Sequence, residues 1–382
     1  MGKNSGAIEV KGTEHNLITA TQVSPLKRST NNSNLQVKAG NTLALLGGEI
    51  TLNGGIITAE SGRIELGAIG EGLVKFDINN QKFALDYTGI SKFQDIELFQ
   101  NSLVDASGKN AGSISVKGAD INLESGSKIW IQNRGLQTSG NININADNSL
   151  IISGNNSDDT ITSSLTIEVL AEGKGGDINI FGKTLLVENG ARISNNTYSL
   201  GKGGDINLNL FDSVKLLGNS PIDKRSSFIN TSTVGIGDSG RLNLSTKELM
   251  ILDGGLFGSL TRRNGNASDV IIDVSESIEV IGISPIFQPS SIVSSTFSIG
   301  NAGNLNINTK RLAIKKGGIV DTSTALIGDA GSITINASES IEISGAVIDS
   351  RNPSLVNSSA NDINVTLRKR KGIPGRPYGA SG

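Results

Sequence analysis

The feature that most constrains this chain is a repeat with two alternating lengths. A small residue opening a Gly-x-aliphatic-x-aliphatic run falls at Gly112, Gly140, Gly176, Gly204, Gly240, Ser268, Gly303, Gly331 and Asn361, with spacings of 28, 36, 28, 36, 28, 35, 28 and 30. A unit that recurs in this way cannot bury its apolar face alone and must stack on its neighbours. Two residues past each mark stands an aliphatic, from Ile114 to Ile363, and four past it another, from Val116 to Val365. Between them lies mostly Asn, as at Asn143, Asn179, Asn207, Asn243, Asn306 and Asn364. This alternation predicts a strand with one apolar and one polar face.

A second alternating run begins nine or ten residues past the mark, with pairs such as Ile121/Leu123, Leu185/Val187 and Leu249/Ile251. Fourteen residues past each of the first eight marks stands a glycine: Gly126, Gly154, Gly190, Gly218, Gly254, Gly282, Gly317 and Gly345. Such regularity predicts structural corners that need positive φ or leave no room for a Cβ. A third, shorter run follows, as at Ile129 to Ile131 and Ile319 to Thr322. Three strands and three corners per 28 residues predict an all-β parallel β-helix, a solenoid of about eight regular coils preceded by irregular ones. A leucine-rich horseshoe lacks this strand count, and a propeller blade needs four strands and an aromatic signature.

The longer coils carry a matched insertion after the corner glycine: Gly218-Asn-Ser-Pro-Ile222 recurs as Gly282-Ile-Ser-Pro-Ile286, and the earlier Gly154 to Ser164 is rich in Asn, Ser and Asp. Stacked corners would bring these inserts out on one edge at every second coil, roughly 10 Å apart. Loops on a rigid scaffold are where binding usually resides, so Asn155, Asp158, Asp159, Ser220, Pro221, Ile222, Ser284, Pro285 and Ile286 are the candidate binding residues.

Composition limits the chemistry. The chain has 48 Gly, no Cys, one His and a net charge of −2, which leaves no disulfide framework, no thiolate metal site and no field drawing it to nucleic acid. No run of 18 apolar residues is present for a transmembrane helix, and residues 1–10 lack the apolar core of a secretory signal. No catalytic residue, metal ligand or cofactor site is indicated. Gly235-Ile-Gly-Asp-Ser-Gly240 opens a strand rather than a helix, so it does not read as a dinucleotide loop. Calcium nonapeptide repeats need a different period. His15, outside the regular coils, reads as a surface residue, and Trp130 and Tyr198 as packing residues. Asp177 and Asp205 read as corner residues that hydrogen-bond to backbone. The basic run Arg368 to Lys371 reads as a solvated tail.

Four segments are expected: a polar segment 1–34 with an edge strand and loop; irregular coils over 35–111, including short coils near Val74 to Tyr87; regular coils over 112–367; and a basic, disordered tail over 368–382. Asn41-Thr-Leu-Ala-Leu-Leu-Gly-Gly-Glu-Ile-Thr-Leu-Asn-Gly-Gly55, followed by Gly62-Arg-Ile-Glu-Leu-Gly67, resembles the later part of the filamentous-haemagglutinin-type two-partner secretion domain. Gly175 to Ile180 and Gly203 to Leu208 resemble the repeats that follow it in large bacterial exoproteins. The resemblance covers about residues 35–367. It implies a right-handed parallel β-helix, export through an outer-membrane two-partner secretion transporter, and a secreted or cell-surface adhesin or haemagglutinin with a glycan or host-surface ligand. Asn-Pro-Asn-Gly-Ile and Asn-Pro-Asn-Leu export motifs are absent, so the chain is expected to be a fragment lacking the N-terminal signal. The functional expectation is a non-enzymatic surface scaffold. The alternatives are a polysaccharide lyase or hydrolase, which would need outward stacked acids, and a nonfunctional remnant of a larger exoprotein.

Overall fold

Alternating side chains and tight glycine corners produce a parallel β-helix whose coils share two long sheets. The computed structural model describes residues 5–19, 21, 24–28, 33–79, 82–158, 160–222, 224–347 and 353–360. Asp159, the mark at Asn361 with Ile363 and Val365, and the basic stretch 368–382 lie outside the described residues. Every described element is a strand. The helix is right-handed, the hand favoured for parallel crossovers.

The first sheet is built from long strands, among them Ser113–Leu123, Ile142–Ser153, Ile178–Glu188, Ile206–Leu217, Leu242–Leu252, Val270–Ile281, Leu305–Lys315 and Ile333–Ser344. The second is built from short strands such as Lys128–Asn133, Ser164–Val169, Arg192–Thr197, Phe228–Thr233, Leu256–Thr261 and Ser291–Thr296. The expected first and second strands of each coil are therefore one continuous strand, with a register irregularity at their junction. A coil has two hydrogen-bonded strands where three were expected. The bulge turns the pleat at the cost of a local gap in the ladder, as between Asn209 and Ser213.

In-register pairing converts the repeat into interior columns. Ile142 pairs with Ile178, Ile178 with Ile206, Ile206 with Leu242 and Leu242 with Val270, all buried. Columns through Leu150–Leu185–Val214–Leu249 and Leu165–Ile193–Ile229–Phe257 complete a core that is continuous from Leu43 to Val320. The mark glycines keep this stack tight. A Cβ on Gly204 would sit 1.9 Å from the Gly176 carbonyl oxygen, and one on Gly240 would sit 1.8 Å from that of Gly204. Gly235 to Gly240 thus belongs to coil stacking. A buried polar column runs beside it: Asn195 donates to Gly176 O at 2.8 Å and Thr231 to Gly240 O at 2.6 Å.

All eight corner glycines have φ between +59° and +94°, but they are of two kinds. In the short coils the preceding residue is also left-handed, at Ser125, Asn189, Asp253 and Lys316. In the long coils the glycine stands alone, and the residue saved at the corner reappears at the bulge, where long coils have strands of 12 residues and short coils strands of 11. Residues 69–93 differ from the short coils expected there. The strand Arg63–Asn79 begins inside the solenoid, Arg63 to Gly67 stacking parallel between Thr42–Leu46 and Ser113–Lys117, and from Ile69 onward leaves it to pair antiparallel with Lys82–Phe93, closing a small core of Ile69, Val74 and Tyr87.

The two corner classes predict different costs for one substitution. A Cβ on Gly254 would lie 2.6 Å from Ser284 Cβ and 2.9 Å from its backbone nitrogen, whereas Gly218 has open space around it. Gly218→Ala should cost about 1–2 kcal/mol for left-handed backbone alone. Gly254→Ala should cost clearly more in urea unfolding, and equal losses would rule out the steric distinction.

Candidate functional site

The inserts of the long coils fold back over the corner of the preceding short coil. Antiparallel bridges Asn155–Thr162, Asn219–Ser226 and Ile283–Pro289 pinch their bases. At the end of each insert a serine hydroxyl accepts the N–H of the neighbouring corner glycine: Ser163 from Gly126 at 3.0 Å, Ser227 from Gly190 at 2.9 Å, Ser290 from Gly254 at 3.0 Å and Ser354 from Gly317 at 3.1 Å. Three of these hydroxyls also donate to the carbonyl where their own insert begins, Ser227 to Leu217, Ser290 to Ile281 and Ser354 to Ser344. The serine spacing of 64, 63 and 64 residues is legible in the sequence as a position, but only the fold shows its role.

This arrangement divides the candidate loop residues. Ser220 and Ser284 are buried against Gly190 and Gly254, and Asn155 donates to Ser220 Oγ at 3.0 Å, linking two inserts. Asp158, Pro221, Ile222, Pro285 and Ile286 are exposed, with Phe287 beside them. Asp177 and Asp205 serve the stack: the Asp205 N–H donates to Asp177 at 2.9 Å and the Arg241 N–H to Asp205 at 2.8 Å.

The described residues of this stretch, 13–19, 21 and 24–28, lie as a strap across the outside of the short-strand sheet. It follows the edge strand Ile8–Lys11, which pairs with Ile50–Asn53. His15 is buried rather than on the surface, because the strap seats it on the Gly126 corner. Its Nε2 is 3.0 Å from Gly126 O, and its Nδ1 accepts the Leu17 N–H at 3.3 Å. Those partners select the neutral Nε2–H tautomer. Leu17 packs with Ile56, Leu103 and Trp130. Further along, the Leu26 N–H donates to Glu168, Gln132 donates to Leu26 O at 2.9 Å, and Arg28 pairs with the buried Asp105. Trp130 is 1% exposed beneath it, donating its indole N–H to Glu168 at 3.2 Å.

A separate concavity lies on the outer face of the long-strand sheet. A groove of about 790 Å³ is lined by Asn209, Phe211, Ser245, Lys247, Asp273 and Asn308, among others. It adjoins a cavity of about 440 Å³ at Asn179, Phe181, Asn207 and Asn243. Asparagine amides are chained along this face: Asn179 donates to Asn143, Asn207 to Asn179 and Asn243 to Asn207, all at 2.8–2.9 Å. In the next row Asn336 donates to Asn308 and Asn308 to Asp273. Phe181 and Phe211 stand 47% and 66% exposed, and Lys247 Nζ lies 3.9 Å over the Phe211 ring. The alternation of Asn with aliphatics made the polar face readable. The groove itself was missed, because Phe181 and Phe211 occupy outward positions in ordinary strand runs.

Residues 1–116 match the family model described as TPS secretion domain. Comparisons with curated proteins and with solved structures gave no match. Among the described residues no helix is long and apolar enough to cross a membrane.

Two outcomes follow. Ser227→Ala should strand the Gly190 N–H and cost about 1–3 kcal/mol, with faster amide exchange confined to residues 218–227. Burial lowers the His15 pKa to about 4 from 6.5. Above pH 6.5 the imidazole is neutral whether the strap is docked or free; between 6.5 and about 4 only the free strap takes the proton, so docking weakens as pH falls. Burial of Glu168 raises its pKa and works in the opposite sense, and Lys128 changes charge at higher pH. The test is therefore the difference between wild type and His15→Gln. Emission of Trp130, the single tryptophan, should shift to the red more on acidification in wild type than in the variant.

Proposed function

By its N-terminal secretion domain this chain is a two-partner secretion exoprotein, and from that premise we propose that it is an adhesin-type scaffold holding a linear glycan along its long-strand sheet. A TPS secretion domain implies a secreted protein with a transporter as its export partner. The finer reading rests on one observation, the groove in which exposed Phe181 and Phe211 flank stacked amides. Apolar faces with a few convergent polar groups are what orient a bound ligand in such sites. Asn145, Phe181, Asn209, Ser245, Asp273, Asn308 and Asn336 are successive register partners, and six steps of ~4.8 Å give a track of about 29 Å.

The lining supports binding over hydrolysis. Its carboxylate, Asp273, already accepts the Asn308 amide at 2.7 Å, and the neighbouring Asp212 and Glu276 pair with Lys247 and Lys310. General acid and base work needs two carboxyls facing one bond. The exposed insert tips, Pro221 with Ile222 and Pro285 with Ile286, are a second contact surface of the same scaffold.

A glycan array probed with the full chain tests the reading. Phe211→Ala combined with Asn243→Ala should weaken binding about tenfold or more, equivalent to ~1.4 kcal/mol. Ile222→Ser with Ile286→Ser should leave glycan binding intact and reduce attachment to cells. No retained glycan in the wild type, or equal retention by the groove variant, would sink the groove assignment.

A further inference from the structure

Asparagine followed by glycine is a reactive pair, because glycine has no side chain to obstruct its own nitrogen as that nitrogen turns on the asparagine Cγ. The sequence contains this pair at Asn53, Asn189 and Asn264. At the first two the fold ties down the glycine nitrogen. The Gly54 N–H donates to Phe99 O at 3.1 Å and the Gly190 N–H to Ser227 Oγ at 2.9 Å. The Asn189 amide is held as well, donating to Ser153 Oγ at 3.1 Å.

Asn264 stands in a different setting, at the corner that follows the short strand. Stacked glycines form this corner, and most of their N–H groups have acceptors: Gly173 donates to Gly135 O at 3.0 Å, Gly201 to Ser199 Oγ at 3.3 Å, Gly237 to Ser199 O at 2.9 Å and Gly300 to Ile327 O at 2.8 Å. Among the described residues the Gly265 N–H has no acceptor, and the exposed Asn264 amide has no partner. Gly328 shares the free N–H but follows Ile327, whose side chain offers nothing to attack. The arc from Arg263 to Gly265 hangs between two fixed points. The Arg262 N–H donates to Thr233 O at 2.9 Å before it, and the Asn266 N–H donates to Asp238 at 2.9 Å after it. Gly265 is buried in the stack, so an N–H without an acceptor is costly there, and its nitrogen gives up no hydrogen bond in turning to the neighbouring side chain.

We propose that Asn264 is a self-modification site, converted to aspartate and isoaspartate with water as the co-reactant. The Gly265 nitrogen loses its proton to solvent base and bonds to Asn264 Cγ; the bond from Cγ to the side-chain nitrogen breaks, and ammonia leaves with a proton from water. Water then opens the resulting succinimide at one of its two carbonyls. Opening at Cγ restores the original backbone with an aspartate side chain. Opening at the main-chain carbonyl routes the backbone through Cγ and lengthens it by one methylene. The stack has no room for that. A Cβ on Gly265 would sit 2.3 Å from Gly237 O, and one on Gly300 would sit 2.2 Å from Gly265 O. The isoaspartate form therefore loosens this corner from the coils on both sides, whereas the aspartate form leaves it closed.

Incubation of the folded full chain in ¹⁸O-labelled water at mildly alkaline pH, followed by peptide mapping with mass spectrometry, tests this. The peptide holding residue 264 should take up one labelled oxygen and lose one ammonia, at least about tenfold faster than the peptides holding Asn53 and Asn189, since those two must open locally before they react. In concentrated urea the three should react at similar rates. Asn264→Gln should abolish the fast reaction with circular dichroism unchanged. Amide exchange of the aged wild type should quicken at residues 262–267 and 297–301, whereas Asn264→Asp, which carries the new charge without the longer backbone, should exchange as the fresh protein does. Conversion of Asn264 no faster than that of Asn53 and Asn189 in the folded chain overturns the site, and equal exchange in Asn264→Asp and the aged protein overturns the backbone consequence.

Discussion

Every property of this molecule depends on the parallel hydrogen-bonded contact between one coil and the next. Its spacing of ~4.8 Å is smaller than most side chains are wide, so a residue type tolerated once must be tolerated repeatedly in the same column. Isoleucine, leucine and valine satisfy this inside. Asparagine satisfies it outside, since its amide can donate to one neighbour and accept from the other, as in the run from Asn143 to Asn243. Where backbones approach most closely, at Gly204 and Gly240, only the absence of a side chain does.

That contact also explains what could be read beforehand. Columns and corners repeat, so Ile178 and Gly190 announce their roles through their counterparts one and two coils away. The three-sided coil was misread because a bulged strand and two strands with a turn leave the same alternation. The hairpin over 69–93 has no counterpart among the described residues, so nothing signalled that it leaves the solenoid. His15 and Lys128 were missed for a related reason. Each is made special by a contact spanning many residues, His15 to Gly126 over 111 positions and Lys128 to Ser164 over 36, and no local pattern encodes such a contact.

The strap binds residues well outside the matched secretion domain. Trp130, Gln132 and Glu168, its partners, lie beyond residue 116. The segment that begins the domain is thus finished by coils that follow it, and a chain emerging from its N-terminus would expose about 140 residues before the Leu26–Glu168 contact, at a separation of 142, could form. The buried charges under the strap belong to this late-closing junction, whereas the amide-lined groove lies on the long-strand sheet and is built coil by coil.

The serine at the end of each insert makes one coil depend on the kind of coil beside it. Ser227 covers Gly190 only because a long coil follows a short one, and the same holds for Ser290 over Gly254. Loss or gain of a single coil would set two coils of one kind side by side, leaving either a corner N–H with nothing to accept it or an insert with no corner to rest on. The unit in which every corner N–H and every insert finds its partner is the doublet of about 64 residues, and not the single turn of the helix.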